Sequence, residues 1–74
     1  MNERIKELIE QSTTEEHDGF RYFDKEKFAE LIVGECLKIA KTREDELESA
    51  GLLEESNAVG NVSYRISRQF GVKR

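Results

Sequence analysis

Two clusters in this chain carry side chains able to bind or transform a ligand. The first is HDGFRYF, residues 17–23, which gathers His17, an Asp-Gly turn signal, Arg21 and the aromatic residues Phe20, Tyr22 and Phe23. The second is YRISR, residues 64–68, with Tyr64, Arg65 and Arg68. A guanidinium grips a phosphate or carboxylate through two parallel hydrogen bonds, and an aromatic face stacks on a base for about 1–3 kcal/mol. His17, Phe20, Arg21 and Tyr22, joined by Tyr64, Arg65 and Arg68 from the same chain or a neighbouring copy, are therefore the candidate ligand-binding residues, the parts of a nucleotide pocket. The aromatic residues also suit a plainer task. Phe23 and Phe28, five positions apart, can anchor a small core and cover a helix seam while Arg21 and Tyr22 face outward.

Other chemistry finds few residues to carry it. A nucleophile needs a base within hydrogen-bonding reach and a third group to orient that base. Cys36 is the one cysteine and His17 the one histidine, and Cys36 lies in an apolar stretch where a thiol is inert. No two carboxylates are marked out by separated environments, no calcium-loop spacing is present, and the five glycines are scattered rather than gathered into a phosphate loop. The expectation is a protein that is not an enzyme, with no catalytic residues, no metal ligands and no cofactor. Affinity for duplex nucleic acid comes mostly from neutralised phosphates, which a net charge of −4 opposes. A compact anion suits the chain better.

At 74 residues the chain is expected to form a single helical domain, 1–74. A domain of this size buries only about 60% of its unfolded surface, so its own core supplies just a few kcal/mol. One cysteine and one histidine exclude an internal disulfide and a Cys/His zinc site, which leaves self-association as the remaining aid. The lone cysteine, the lack of a signal peptide and the lack of an apolar run of about 18 residues predict a cytoplasmic protein with no membrane association. Charge is unevenly placed. All 16 acidic residues lie between Glu3 and Glu55, a span that holds eight of the 12 basic ones, whereas Ala58 to Arg74 carries Arg65, Arg68, Lys73 and Arg74 with no acid. Such asymmetry suits an anion-binding tail, or a basic segment that docks on an acidic surface of its own kind.

The elements that must position these residues read as helical. Asn2 caps a short first helix in which Ile5, Leu8 and Ile9 share a face that Ser12 continues. From Ser12 to Tyr22 the helical period is lost; Thr13 and Thr14 favour extended structure and Asp18-Gly19 a turn, so a loop or a marginal hairpin arm fits. Asp24 caps the long central helix, which contains FAELIVGECLKIA and ends near Gly51. At about 100° per residue, its apolar side chains from Phe28 round to Leu37 span an arc near 180°, wider than the ~100° stripe needed to sit on one layer. Phe28, Ile32, Val33, Cys36, Leu37 and Ile39 are accordingly expected at an interface between copies of this helix. Gly34 falls on the polar side, where it weakens the helix by about 1 kcal/mol unless another backbone packs closely. In the last segment Val59, Val62, Ile66 and Phe70 describe a helix face, while Val62, Tyr64 and Ile66 also alternate as a strand would. Gly71 tips the reading toward helix, since it suits the left-handed position after a helix end, with Val72 folding back toward Ile66. The fold class that results is all-α: a long central helix, short N- and C-terminal helices and an irregular aromatic arm, assembled as a homo-oligomer with room for a ligand between subunits.

The opening MNERIKELIEQ, the segment KFAELIVGEC and the ending QFGV resemble a group of small accessory proteins encoded by large contractile-tailed bacteriophages. The likeness covers Met1 to Gln11, Lys27 to Cys36 and Gln69 to Val72, about half the chain. It departs at Gly34, where such proteins often carry a basic residue. The resemblance implies a phage origin and a place in the cytosol of an infected bacterium. Small dispensable phage proteins of this kind often counter host defences, either by sequestering the nucleotide signal that activates a defence or by inhibiting a host protein. Sequestration of a small nucleotide without catalysis is the leading expectation, with a protein-binding inhibitor of a host enzyme or a structural assembly module as alternatives.

Overall fold

The computed structural model describes residues 2–15 and 19–73. In chain order it has α1 (Glu3–Gln11), β1 (Thr13–Glu15), β2 (Arg21–Phe23), α2 (Lys25–Ser49) and α3 (Leu53–Phe70). Three helices with a long central one match the helical expectation. The ends of the helices are set by the residues the sequence offers for the purpose. Asn2 Oδ1 accepts from the Arg4 amide at 2.7 Å, and Asp24 Oδ1 accepts from the Lys27 amide at 3.1 Å, each satisfying an otherwise orphaned first-turn donor. Helix α2 closes through Gly51 at φ 79°, with the Leu52 amide donating back to the Leu47 carbonyl, and α3 closes through Gly71 at φ 65°, with the Val72 amide donating to the Ser67 carbonyl. Both are left-handed glycine ends that satisfy last-turn carbonyls.

The chain divides into two compact units, Met1–Ile32 and Val33–Arg74, where its length alone predicts a single domain. Helix α2 runs through the division. A helix of 25 residues is about 37 Å long, more than one small core can span, so its two ends pack with different partners.

In the first unit, β1 and β2 pair as an antiparallel hairpin with Thr13 opposite Phe23, Thr14 opposite Tyr22 and Glu15 opposite Arg21. The sequence left residues 12–23 between loop and marginal hairpin; Gly19 takes φ 82°, as its turn chemistry demands. Asp18 lies outside the described residues. The hairpin is tied at its base, where the Asp24 amide donates to the Ser12 carbonyl at 2.7 Å. Leu8 and Ser12 are buried beneath it, and the Ser12 hydroxyl donates to the Leu8 carbonyl.

The second unit is a helical hairpin made by the C-terminal part of α2 and by α3. Residues 59–70 are helical, which resolves the helix-or-strand ambiguity, and α3 begins six residues earlier than its apolar period does. The side that packs is not the apolar one. Ser56 and Ser63 are buried and Gly60 and Ser67 half-buried, whereas Val62 and Phe70, on the face the sequence marks as apolar, are 58% and 63% exposed. Ser56 Oγ donates to the Glu44 carbonyl at 3.0 Å, and a Cβ placed on Gly60 would meet the Glu44 carboxylate at 2.9 Å. The register set by these two contacts puts Leu37 level with Ser63 and Ser67, and Leu47 level with the start of α3. Leu37 and Leu47 are buried at 2% and 7%. Leu37 is thereby enclosed in its own chain and drops out of the residues expected between copies. The arc on α2 splits: Leu37 and Leu47 go inward, while Ile39 remains 69% exposed and Cys36, expected to be sheltered, is exposed as well.

Three substitutions test this packing by urea unfolding. Gly34 has open space around its Cα, so Gly34→Ala should raise stability by about 1 kcal/mol through helix propensity alone. Ser56→Ala should cost about 1 kcal/mol through loss of its bond to Glu44. Ser63→Ala should leave stability unchanged or raise it, because the buried Ser63 hydroxyl has no hydrogen-bond partner among the described residues.

Candidate functional site

The residues singled out by type fall into two groups, one in each unit. In the first, the hairpin alternates its side chains, so Tyr22 leaves one face of β2 while Arg21 and Phe23 leave the other. Phe23 stacks on Phe28 at the start of α2, centroids 5.4 Å apart and planes tilted by 57°. This is the anchoring contact the spacing suggested, and it fixes a two-stranded element that is marginal alone in water. Tyr22 and Phe20 are more than half exposed. Arg21 faces α1, and its guanidinium donates to Glu10 Oε2 at 2.8 Å in an exposed ion pair. That carboxylate offsets much of the charge an incoming anion needs. His17 lies outside the described residues.

The second group stands on α3 alone. Residues 61, 64, 65, 68 and 69 recur at the helical period, so Asn61, Tyr64, Arg65, Arg68 and Gln69 line one shallow groove on the outer side of the helix. The Arg68 guanidinium carbon sits 5.7 Å from the Tyr64 ring centroid, a cation–π distance that holds both side chains in place. Among the described residues neither Arg65 nor Arg68 is bonded to a carboxylate; the ion pairs gather elsewhere, at Arg4–Glu7, Lys6–Glu3, Lys41–Asp45 and Arg43–Glu46. The groove therefore offers two guanidiniums without a carboxylate partner among the described residues, an aromatic ring with Arg68 beside it and two side-chain amides. Sequence reasoning found Tyr64, Arg65 and Arg68 and missed Asn61 and Gln69. Their signal was available, since once the segment is helical each lies four residues from Arg65.

The structure thus brings Tyr64, Arg65 and Arg68 together on one helix and Phe20, Arg21 and Tyr22 on one hairpin. Among the described residues no three His, Cys, Asp or Glu side chains converge as a metal site would require. Among the described residues no helix is long and apolar enough to cross a membrane. No family model, curated protein or solved structure matches the chain.

The anchoring role of Phe23 is open to a double-mutant cycle. Phe23→Ala and Phe28→Ala should be less than additive in unfolding free energy by about 0.5–1.5 kcal/mol, the coupling expected of a tilted aromatic pair. Strict additivity rules out the stack as the hairpin's anchor.

Proposed function

We propose that this chain is a non-catalytic phage accessory protein that sequesters a small nucleotide signal of host defence on the groove of α3. The observation that carries the reading is the pair Arg65 and Arg68, free of any carboxylate partner among the described residues and set beside the Tyr64 ring. Guanidiniums without an internal counter-charge favour a phosphate, and charge-assisted bonds to it are about twice as strong as neutral ones. Tyr64 adds a face on which a base stacks, and Asn61 and Gln69 add donors and acceptors for a base edge or a ribose. Nothing in the groove pairs a nucleophile with a base, so the bound nucleotide leaves as it came.

Protein binding is the second reading, favoured by the exposure of Ile39, Leu53, Val62 and Phe70 in so short a chain. An inhibitor of a host enzyme would use such a surface; a nucleotide-binding protein has no use for it at the ligand.

The test is calorimetry of the purified full chain against cyclic di- and trinucleotides, followed by heating to release the ligand. Binding with recovery of unaltered nucleotide is expected, and Arg65→Glu with Arg68→Glu should weaken it by at least about tenfold, as the loss of two charge-assisted contacts requires, at unchanged helicity. Recovery of altered nucleotide makes the protein an enzyme, and no heat with any nucleotide sinks the nucleotide reading.

A further inference from the structure

The helical hairpin of the second unit leaves one apolar side uncovered, and the side is shared by both helices. Taking about 100° per residue, the side of α2 that packs is centred on Leu37, Ala40, Glu44 and Leu47, and Ile39 lies about 120° from that centre. On α3 the packing side is centred on Ser56, Gly60, Ser63 and Ser67; Val59, Ile66 and Val62 lie about 70°, 90° and 130° from it, in the same rotational sense. In an antiparallel pair, equal senses of rotation bring side chains to the same face. The register through Glu44, Ser56 and Gly60 then sets Ile39 level with Val62 and Ile66. Ile39 and Val62 are 69% and 58% exposed, and Val59 and Ile66 half-buried beside them. Tyr64 and Arg68 rotate the opposite way, so the groove they line meets this face only at its Gln69 edge, beside Val62.

Charge indicates what covers the face. Residues 43–58, the turn end of the hairpin, hold Glu44, Asp45, Glu46, Glu48, Glu54 and Glu55 against Arg43 alone. The open end holds Lys38, Arg65, Arg68 and Lys73 against Glu35 alone, and Lys41, between the two ends, pairs with Asp45. The ends of helices this long stand about 25 Å apart, several times the ~8 Å screening length at physiological salt, so each acts as a separate pole. Two such hairpins laid side by side in the same direction set acid against acid. Laid head to tail, they set each acidic end on a basic one.

We propose that Ile39, Val59, Val62 and Ile66 form a docking surface for a second copy of this chain, laid head to tail so that the acidic turn end of each lies on the basic open end of the other. The product is a two-fold four-helix arrangement in which the apolar face becomes the core that one chain lacks, and the surface is self-complementary as a two-fold axis requires. The apolar contact through Ile39, Val59, Val62 and Ile66 does not rest on the proposed nucleotide reading, but Arg65 and Arg68 belong both to the groove and to the basic end, so a phosphate bound there weakens the head-to-tail attraction.

Sedimentation equilibrium of the full chain tests it. The expected mass is twice the 8.6 kDa of the chain, falling to a single chain in Ile39→Glu and Val62→Glu, with far-UV circular dichroism showing that helices persist. Both positions are exposed in the single chain, so neither variant strains its fold. Raising salt from about 0.1 M to about 1 M shortens the screening length to about 3 Å and should weaken the unmodified dimer by about tenfold or more. A single-chain mass for the unmodified protein, or an assembly that survives both substitutions, overturns the surface. A dimer that salt leaves unchanged or tightens overturns the head-to-tail sense.

Discussion

The close approach of α2 and α3 governs the second unit. It is made by small side chains, Ser56, Gly60, Ser63 and Ser67, whose lack of bulk places Ser56 in hydrogen-bonding range of the Glu44 carbonyl. Serine is a costly choice for such a seam, because a buried hydroxyl needs a partner. Ser56 finds one, and Ser63 has none among the described residues. What serine and glycine provide in return is proximity, since dispersion falls steeply with any gap between surfaces.

Because the seam is lined with small residues, it uses few apolar ones. Among the described residues the buried apolar ones are Leu8, Leu37 and Leu47. The remaining aliphatic and aromatic side chains of α2 and α3 are left on the sides, and their rotational positions relative to the seam decide where they go. Val59, Val62 and Ile66 turn to the same side as Ile39, and Tyr64 and Arg68 turn to the other. One helix hairpin thus offers two surfaces of different character, an apolar one with charged poles and a polar one with two guanidiniums. In the first unit the aromatic residues divide their labour in a similar way. Phe23 is committed to Phe28, and Tyr22 and Phe20 are exposed on the hairpin.

Electrostatics separates the arginines more sharply than residue type does. Arg21 sits within hydrogen-bonding range of Glu10, whereas Arg65 and Arg68 belong to a stretch of sequence from which acids are absent and have no carboxylate partner among the described residues. A binding role is therefore better supported on α3 than on the hairpin, although the two clusters look alike as strings of letters.

The sequence by itself determined the local features. Asn2 and Asp24 as caps, Gly51 and Gly71 as helix ends, the long central helix, the extended Thr13-Thr14 and the acid-free last segment all follow from interactions within a few residues, which a linear reading can weigh. The tertiary structure decided which helix side packs. Hydrophobic periodicity marked Val59, Val62, Ile66 and Phe70 on α3, but the seam took Ser56, Gly60, Ser63 and Ser67, because distance of approach between two helices depends on the bulk of both and no single segment records it. The same contact removed Leu37 from the exposed arc and left Ile39 outside. Tertiary structure likewise decided that Glu10, eleven residues before Arg21, would occupy that arginine, since an ion pair across two elements exists only once the hairpin has folded back on α1.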